Sequence, residues 1–190
     1  MSENILTMKK SLPIYIYGVI ILLESIFLLF SENWTFETLK LTVGLPLVLG
    51  SLMVIVTQLS YKNKPVAFLY HGMHAFTMLF YGFFVLLICD KLETLIYLNY
   101  FLFFFYAFSE IFFCFWLFNL GKKIFHRIVI IRLLIGLLIG IGVTVLMYDP
   151  DTNLAVEMEK FGLLYMLMGI NLMLYAPIVK TMKLKETKPL

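Results

Sequence analysis

The chain has 190 residues, of which 62% are hydrophobic and 14% charged, and a formal net charge of +3; its mean hydropathy is +0.94. Soluble domains carry about 45–50% apolar and about 25% charged residues, and so short a chain has too little interior to hide the surplus. Lipid is therefore the expected solvent, and with the bases in short clusters rather than on one broad face, nucleic-acid binding has no footprint.

A transmembrane helix needs about 20 mostly apolar residues, because each adds about 1.5 Å against a hydrocarbon core about 30 Å thick. Six stretches meet this in chain order: 12–30, 40–60, 66–88, 95–118, 124–147 and 160–179. The polar breaks between them are short, the longest running from Tyr148 to Glu159. The expected fold is an all-α membrane protein, a single domain of six transmembrane helices arranged as three tight antiparallel hairpins. Lys9 and Lys10 precede the first stretch with no small-residue cleavage site after it, which reads as an uncleaved signal anchor.

Charge orients the bundle. Lys9, Lys10, Lys62, Lys64, Lys122, Lys123, Arg127, Lys180, Lys183, Lys185 and Lys188 fall on one side. Glu32, Glu37, Asp90, Glu93, Asp149, Asp151, Glu157 and Glu159 fall on the other, with Lys40, Lys91 and Lys160 as its bases. The positive-inside rule puts both termini in the cytoplasm. Thirteen lysines against two arginines, with little alanine, fit the codon usage of an AT-rich bacterium, and the expected location is a bacterial inner membrane. On this topology Cys89 and Cys114 lie near opposite faces, so no disulfide joins them, and no Cys/His zinc spacing occurs. Tyr15, Tyr17, Trp34, Tyr61, Trp116 and Tyr148 lie near span ends, as interface anchors do.

Three pseudo-repeats are expected at 12–64, 65–123 and 124–183, each an apolar span, an acidic turn, a second span and a basic loop. Gly18, Gly44, Gly50 and Ser51 mark the first; Gly136, Gly140, Gly142, Gly162 and Gly169 mark the third. Small residues let membrane helices approach closely, which makes Gly44, Gly50, Gly136, Gly140 and Gly169 the helix-packing candidates. Three hairpins in this length, with the Gly44–Ser51 and Gly136–Pro150 stretches and the Asp149-Pro150 turn, resemble the HdeD-like family of small bacterial membrane proteins. The span from Tyr97 to Phe118 departs from that pattern, having no glycine and many phenylalanines. The resemblance implies a non-enzymatic role in acid-stress or envelope tolerance and carries no catalytic residues.

Ionisable groups at membrane depth are costly and default to functional hypotheses. Glu110 lies eight residues before Phe118 and Arg132 eight after Ile124, so each sits about 12 Å from the short loop that joins their helices. A Glu110–Arg132 ion pair is expected. His74 and Asn171 fall at similar depth, giving an inner polar layer that either fixes packing or shuttles protons. Tyr70, His74, Thr77 and Tyr81 follow a helical spacing that puts them on one face. Glu24 has Ser25 beside it and no cation at its depth, so it is expected to be protonated and hydrogen-bonded, either a structural group or a proton sensor. His71 and His74 are three residues apart with no accompanying carboxylate, so neither a metal nor another cofactor is expected.

No nucleophile–base set or phosphate-cradling loop occurs, and an enzyme is not expected. Two functions remain: a stress-tolerance protein or accessory subunit whose partners are the bilayer and either a second copy or another membrane protein, and a small transporter or proton-linked channel using Glu24, Glu110, Arg132 and His74.

Overall fold

The computed structural model describes residues 2–59, 66–119, 126–150 and 153–186, with side chains described for 12–57, 59, 72–118, 127–150 and 153–178. The described chain is all-helical. Six helices follow in order: α1 (Ser2–Leu28), α2 (Phe36–Leu59), α3 (Val66–Leu87), α4 (Leu92–Asn119), α5 (His126–Tyr148) and α6 (Leu154–Glu186). Four of them, α2, α4, α5 and α6, are long and apolar enough to cross a membrane; α1 and α3 carry shorter apolar runs, Leu12–Leu28 and Gly72–Leu87. The C-terminal ends of α1, α3 and α5 and the N-terminal ends of α2, α4 and α6 lie at one end of the bundle, called the turn end below. Lys9, Lys10, Lys62, Lys64, Lys122, Lys123, the tail lysines, Tyr70, His71 and Asp151 have side chains outside those described.

α6 begins earlier than its apolar run does, and the reason is a cap. Asn153 accepts the Ala155 amide through Oδ1 at 3.1 Å, and its carbonyl takes the Glu157 amide, which satisfies donors a helix start otherwise leaves orphaned. Half of the expected break from Tyr148 to Glu159 is thus the first turns of α6, and Glu157, expected within that polar break, is buried at 1% exposure. Thr35 caps α2 in the same manner, its Oγ1 accepting the Thr38 amide at 3.3 Å.

The tight seams run between the hairpins and not within them. α1 packs most extensively on α6, α2 on α3 and α4 on α5, while the α3–α4 hairpin is the loosest of the three. Small residues line each tight seam. A Cβ on Gly18 would stand 2.9 Å from the Gly169 carbonyl, and one on Gly82 would stand 3.0 Å from the Gly44 carbonyl. Gly136 and Gly140 of α5 face Glu110 and Ala107 of α4. Helices in lipid gain from backbone proximity and not from expelling water, so glycine placement selects these seams. α4 has no glycine to offer α3, and its phenylalanines split: Phe103 is buried, stacked on Phe161 at 5.8 Å, while Phe101, Phe104, Phe105, Phe108 and Phe112 are each at least half exposed.

Tyr17 corrects the interface-anchor expectation. Its ring is fully buried, pressed into the space left by Gly50, with Ser51 Oγ 3.4 Å from its hydroxyl. Tyr148, by contrast, is 87% exposed.

Candidate functional site

Polar side chains inside the bundle fall into two tiers. At 1.5 Å per residue, His74, Tyr106, Asn171, Glu110 and Arg132 lie about 20–27 Å from the turn-end termini of their own helices. Arg132 donates from Nε and Nη2 to Glu110 Oε1 at 2.8 and 2.5 Å, across the α4–α5 seam. The guanidinium also lies 4.7 Å from the Tyr175 ring centre and 5.7 Å from that of Phe113, an arrangement that holds a buried cation by its flat faces. Cys114 Sγ stands 3.5 Å from the same Glu110 oxygen.

Tyr106, on the same helix as Glu110, joins the other two members of the tier. Its hydroxyl accepts a hydrogen bond from Asn171 Nδ2 at 2.8 Å, and its ring lies 5.1 Å from that of His74. Asn171 is fully buried. The tier thus spans α3, α4, α5 and α6, with Tyr106 at its centre. Thr77, expected on the His74 face, instead points outward and bonds to its own helix at Met73 O.

The second tier lies nearer the turn end, about 6–17 Å in by the same rise. Tyr165 donates to Asn99 Oδ1 at 2.6 Å, and Asn99 Nδ2 returns to the Leu95 carbonyl at 2.9 Å. Glu24 is 2% exposed. Among the described residues, neither of its oxygens has a hydrogen-bond partner. Ser25, expected to help it, gives its proton to the Leu22 carbonyl at 2.7 Å. At the turn end itself the Tyr100 hydroxyl meets buried Glu157 Oε1 at 2.5 Å, and Lys160 Nζ stands 3.5 Å from Oε2.

Of the packing glycines, Gly169, Gly44 and Gly50 sit where a methyl group would collide, with Gly18 and Leu22, with Leu86, and with Tyr17 respectively. Gly136 is tight against Glu110, whereas Gly140 meets only Ala107 at an ordinary 3.5 Å. Cys89 and Cys114 are free thiols, and among the described residues no three His, Cys, Asp or Glu side chains gather as a metal site would require.

Sequence reasoning missed Tyr106, Asn99, Tyr165, Tyr100 and the burial of Glu157. Asn99 was findable, since the depth argument applied to Asn171 applies equally to an amide within the α4 apolar run. The tyrosines carried no such signal, because an amphipathic ring suits an interface as well as a core. Searches of the chain against protein-family models, curated proteins and solved structures find no match.

Proposed function

We propose that all six helices cross the inner membrane of a bacterium with both termini cytoplasmic, and that the protein is a non-enzymatic bundle of the HdeD-like kind. It would act in envelope or acid-stress tolerance or as an accessory subunit of a membrane complex. The observation that carries this is the pairing of polar groups at depth: Glu110 with Arg132, Asn171 with Tyr106, Asn99 with Tyr165. A bundle whose intramembrane polar groups bond to one another is organised for cohesion. Support for the shorter helices as spans comes from their packing, since α1 lies along α6 and α3 along α2. The outward surface agrees, with Phe76, Phe80, Phe105 and Ile141 all more than half exposed, a covering water would not tolerate.

Two measurements test this. In cells, Glu32→Cys and Lys188→Cys should label from opposite sides, Glu32→Cys from outside and Lys188→Cys only after permeabilisation; the reverse pattern overturns the orientation. Cells lacking the chain should survive acid or envelope stress less well than cells carrying it, and equal survival removes the stress role.

One observation favours the transporter or proton-linked channel. Glu24 is a buried carboxyl without a hydrogen-bond partner among the described residues, and bundles seldom keep such a group for packing alone. Proton flux into liposomes holding a pH-sensitive dye, present in the native protein and lost in Glu24→Gln, would establish that role; no flux above empty liposomes removes it.

A further inference from the structure

α4, α5 and α6 leave a cleft at the turn end that neither functional reading uses. It encloses about 610 Å³, within the usual range for small-molecule sites. Its lining changes character along its length. Glu93, in the first turn of α4, and Glu157, in the first turn of α6, stand at the turn end with Tyr97 and Met147, while Tyr100 and Phe104 line the deeper part. From Glu93 to Phe104 the cleft follows α4 for about 17 Å.

Phe104 also borders a second groove of about 380 Å³ between α4 and α5, walled by Ala107, Phe108, Gly140, Ile141 and Thr144. The two share that residue, so the groove continues the line of the cleft along α4, and the pair is called the track below. Small side chains make the track: a Cβ on Gly140 would meet only Ala107 within 4 Å, and Thr144 folds its hydroxyl back onto the Gly140 carbonyl at 2.7 Å. Phe104, Phe108, Ile141 and Met147 are each at least half exposed, so the track opens sideways along the bundle.

Charge decides what fits the wide end. Glu157 is buried, and its carboxylate is fixed by the Tyr100 hydroxyl, which also lies 3.2 Å from the Leu146 carbonyl. Lys160 offsets part of that charge from 3.5 Å, but Glu93 adds a second carboxylate, and acids outnumber bases at this end of the bundle: among the described residues, Glu32, Glu37, Asp90, Glu93, Asp149, Glu157 and Glu159 against Lys40, Lys91 and Lys160. The Tyr97 and Tyr100 rings meet at 62° with centres 6.4 Å apart, forming an aromatic corner beside the carboxylates. Aromatic faces with nearby carboxylates favour an ammonium group, and the same carboxylates repel a phosphate or a fatty-acid head.

We propose that this track binds a single-chain cationic amphiphile, with its ammonium head between Glu93, Glu157, Tyr97 and Tyr100 and its aliphatic tail along the α4–α5 groove. The assignment is independent of whether the bundle serves cohesion or proton movement.

The test uses the full chain in phosphatidylcholine nanodiscs with two spin-labelled probes of equal chain length, an alkyltrimethylammonium and a fatty acid. The expected result is a motionally restricted ammonium population that saturates near one per protein and exceeds the fatty-acid population several-fold. Glu93→Gln should lower the ammonium excess, Gly140→Leu should shorten residence by filling the tail groove, and Glu37→Gln, on α2 outside the track, should leave it unchanged. Both Glu93 and Glu37 are exposed, so neither substitution threatens the fold. Equal restriction of the two probes overturns the proposal. So does an equal loss in Glu37→Gln and Glu93→Gln, which would assign the preference to the general acidity of this end.

Discussion

Arg132 brings two of its nitrogens to a single oxygen of Glu110, and both side chains are at most 4% exposed. Removing one partner leaves a buried charge without compensation, which typically costs about 3–5 kcal/mol, whereas replacing both with apolar groups of similar volume is often neutral or stabilising. Glu110→Ala and Arg132→Ala should each lower the unfolding temperature in detergent sharply. The double variant Glu110→Leu, Arg132→Met should recover most of the loss. A double variant as unstable as the sum of the singles would show that the pair does more than fix α4 against α5.

The glycine seams differ in how much room they leave, and that difference is measurable. A methyl at Gly169 would stand 2.9 Å from the Gly18 carbonyl and 3.0 Å from the Leu22 amide nitrogen. Those are backbone atoms, so α1 and α6 would have to separate. Gly169→Ala should destabilise by about 1–3 kcal/mol, the usual cost of overpacking. Gly140→Ala meets no such obstacle and should be neutral or gain up to about 1 kcal/mol from helix propensity. Equal losses at the two positions would mean that backbone approach is not what holds α1 to α6.

How far the sequence reached depends on whether a feature is local. Helix number follows from apolar run length, and the meeting of Glu110 and Arg132 follows from equal rise along two helices joined by a short loop. The seams were not legible, because whether α1 prefers α2 or α6 is decided by which glycines face each other in three dimensions. The start of α6 was missed for a related reason: one capping amide, Asn153, outweighs the polar composition of the turn it opens. Tyr17 was assigned to a membrane interface and Glu157 to a polar turn by type, yet one fills the space left by Gly50 and the other is sealed under Tyr100. Tyr106 was passed over because nothing in a run of aromatics marks the one whose hydroxyl takes the Asn171 amide.

Tyr106 offers a test of the polar tier that leaves its charges intact. Tyr106→Phe keeps the ring beside His74 but removes the acceptor of the Asn171 amide. An orphaned buried amide costs about 1–3 kcal/mol, more than the roughly 0.6 kcal/mol average of an interhelical hydrogen bond in a membrane protein. The single variant should therefore lose stability beyond that average, and Asn171→Leu added to it should restore part of the loss. Full additivity in this cycle would mean that the two side chains do not act as a pair.

The two thiols predict a pH-dependent labelling pattern. Cys89, just past the end of α3, is 1% exposed and its Sγ donates to the Lys91 carbonyl at 3.4 Å. Burial pushes its thiol above the ordinary range; the Lys91 contact and the Lys40 charge pull the other way without cancelling it, and Asp90 and Glu37 add to the rise. Because the thiolate is the reacting form, a raised value means less of it at neutral pH. Maleimide should modify Cys89 several-fold more slowly at pH 7 than a thiol at exposed Glu32→Cys in a Cys89→Ser, Cys114→Ser background. The gap should narrow as pH climbs past 9. Lys40→Ala removes a charge that favours the thiolate and should slow Cys89 further, leaving Glu32→Cys as it was. Cys114, within α4 and fully buried, should stay unmodified across this range until the bundle is unfolded. Labelling of Cys89 at the Glu32→Cys rate at pH 7 would show that the α3–α4 turn opens readily enough to expose it, and would remove burial as the cause.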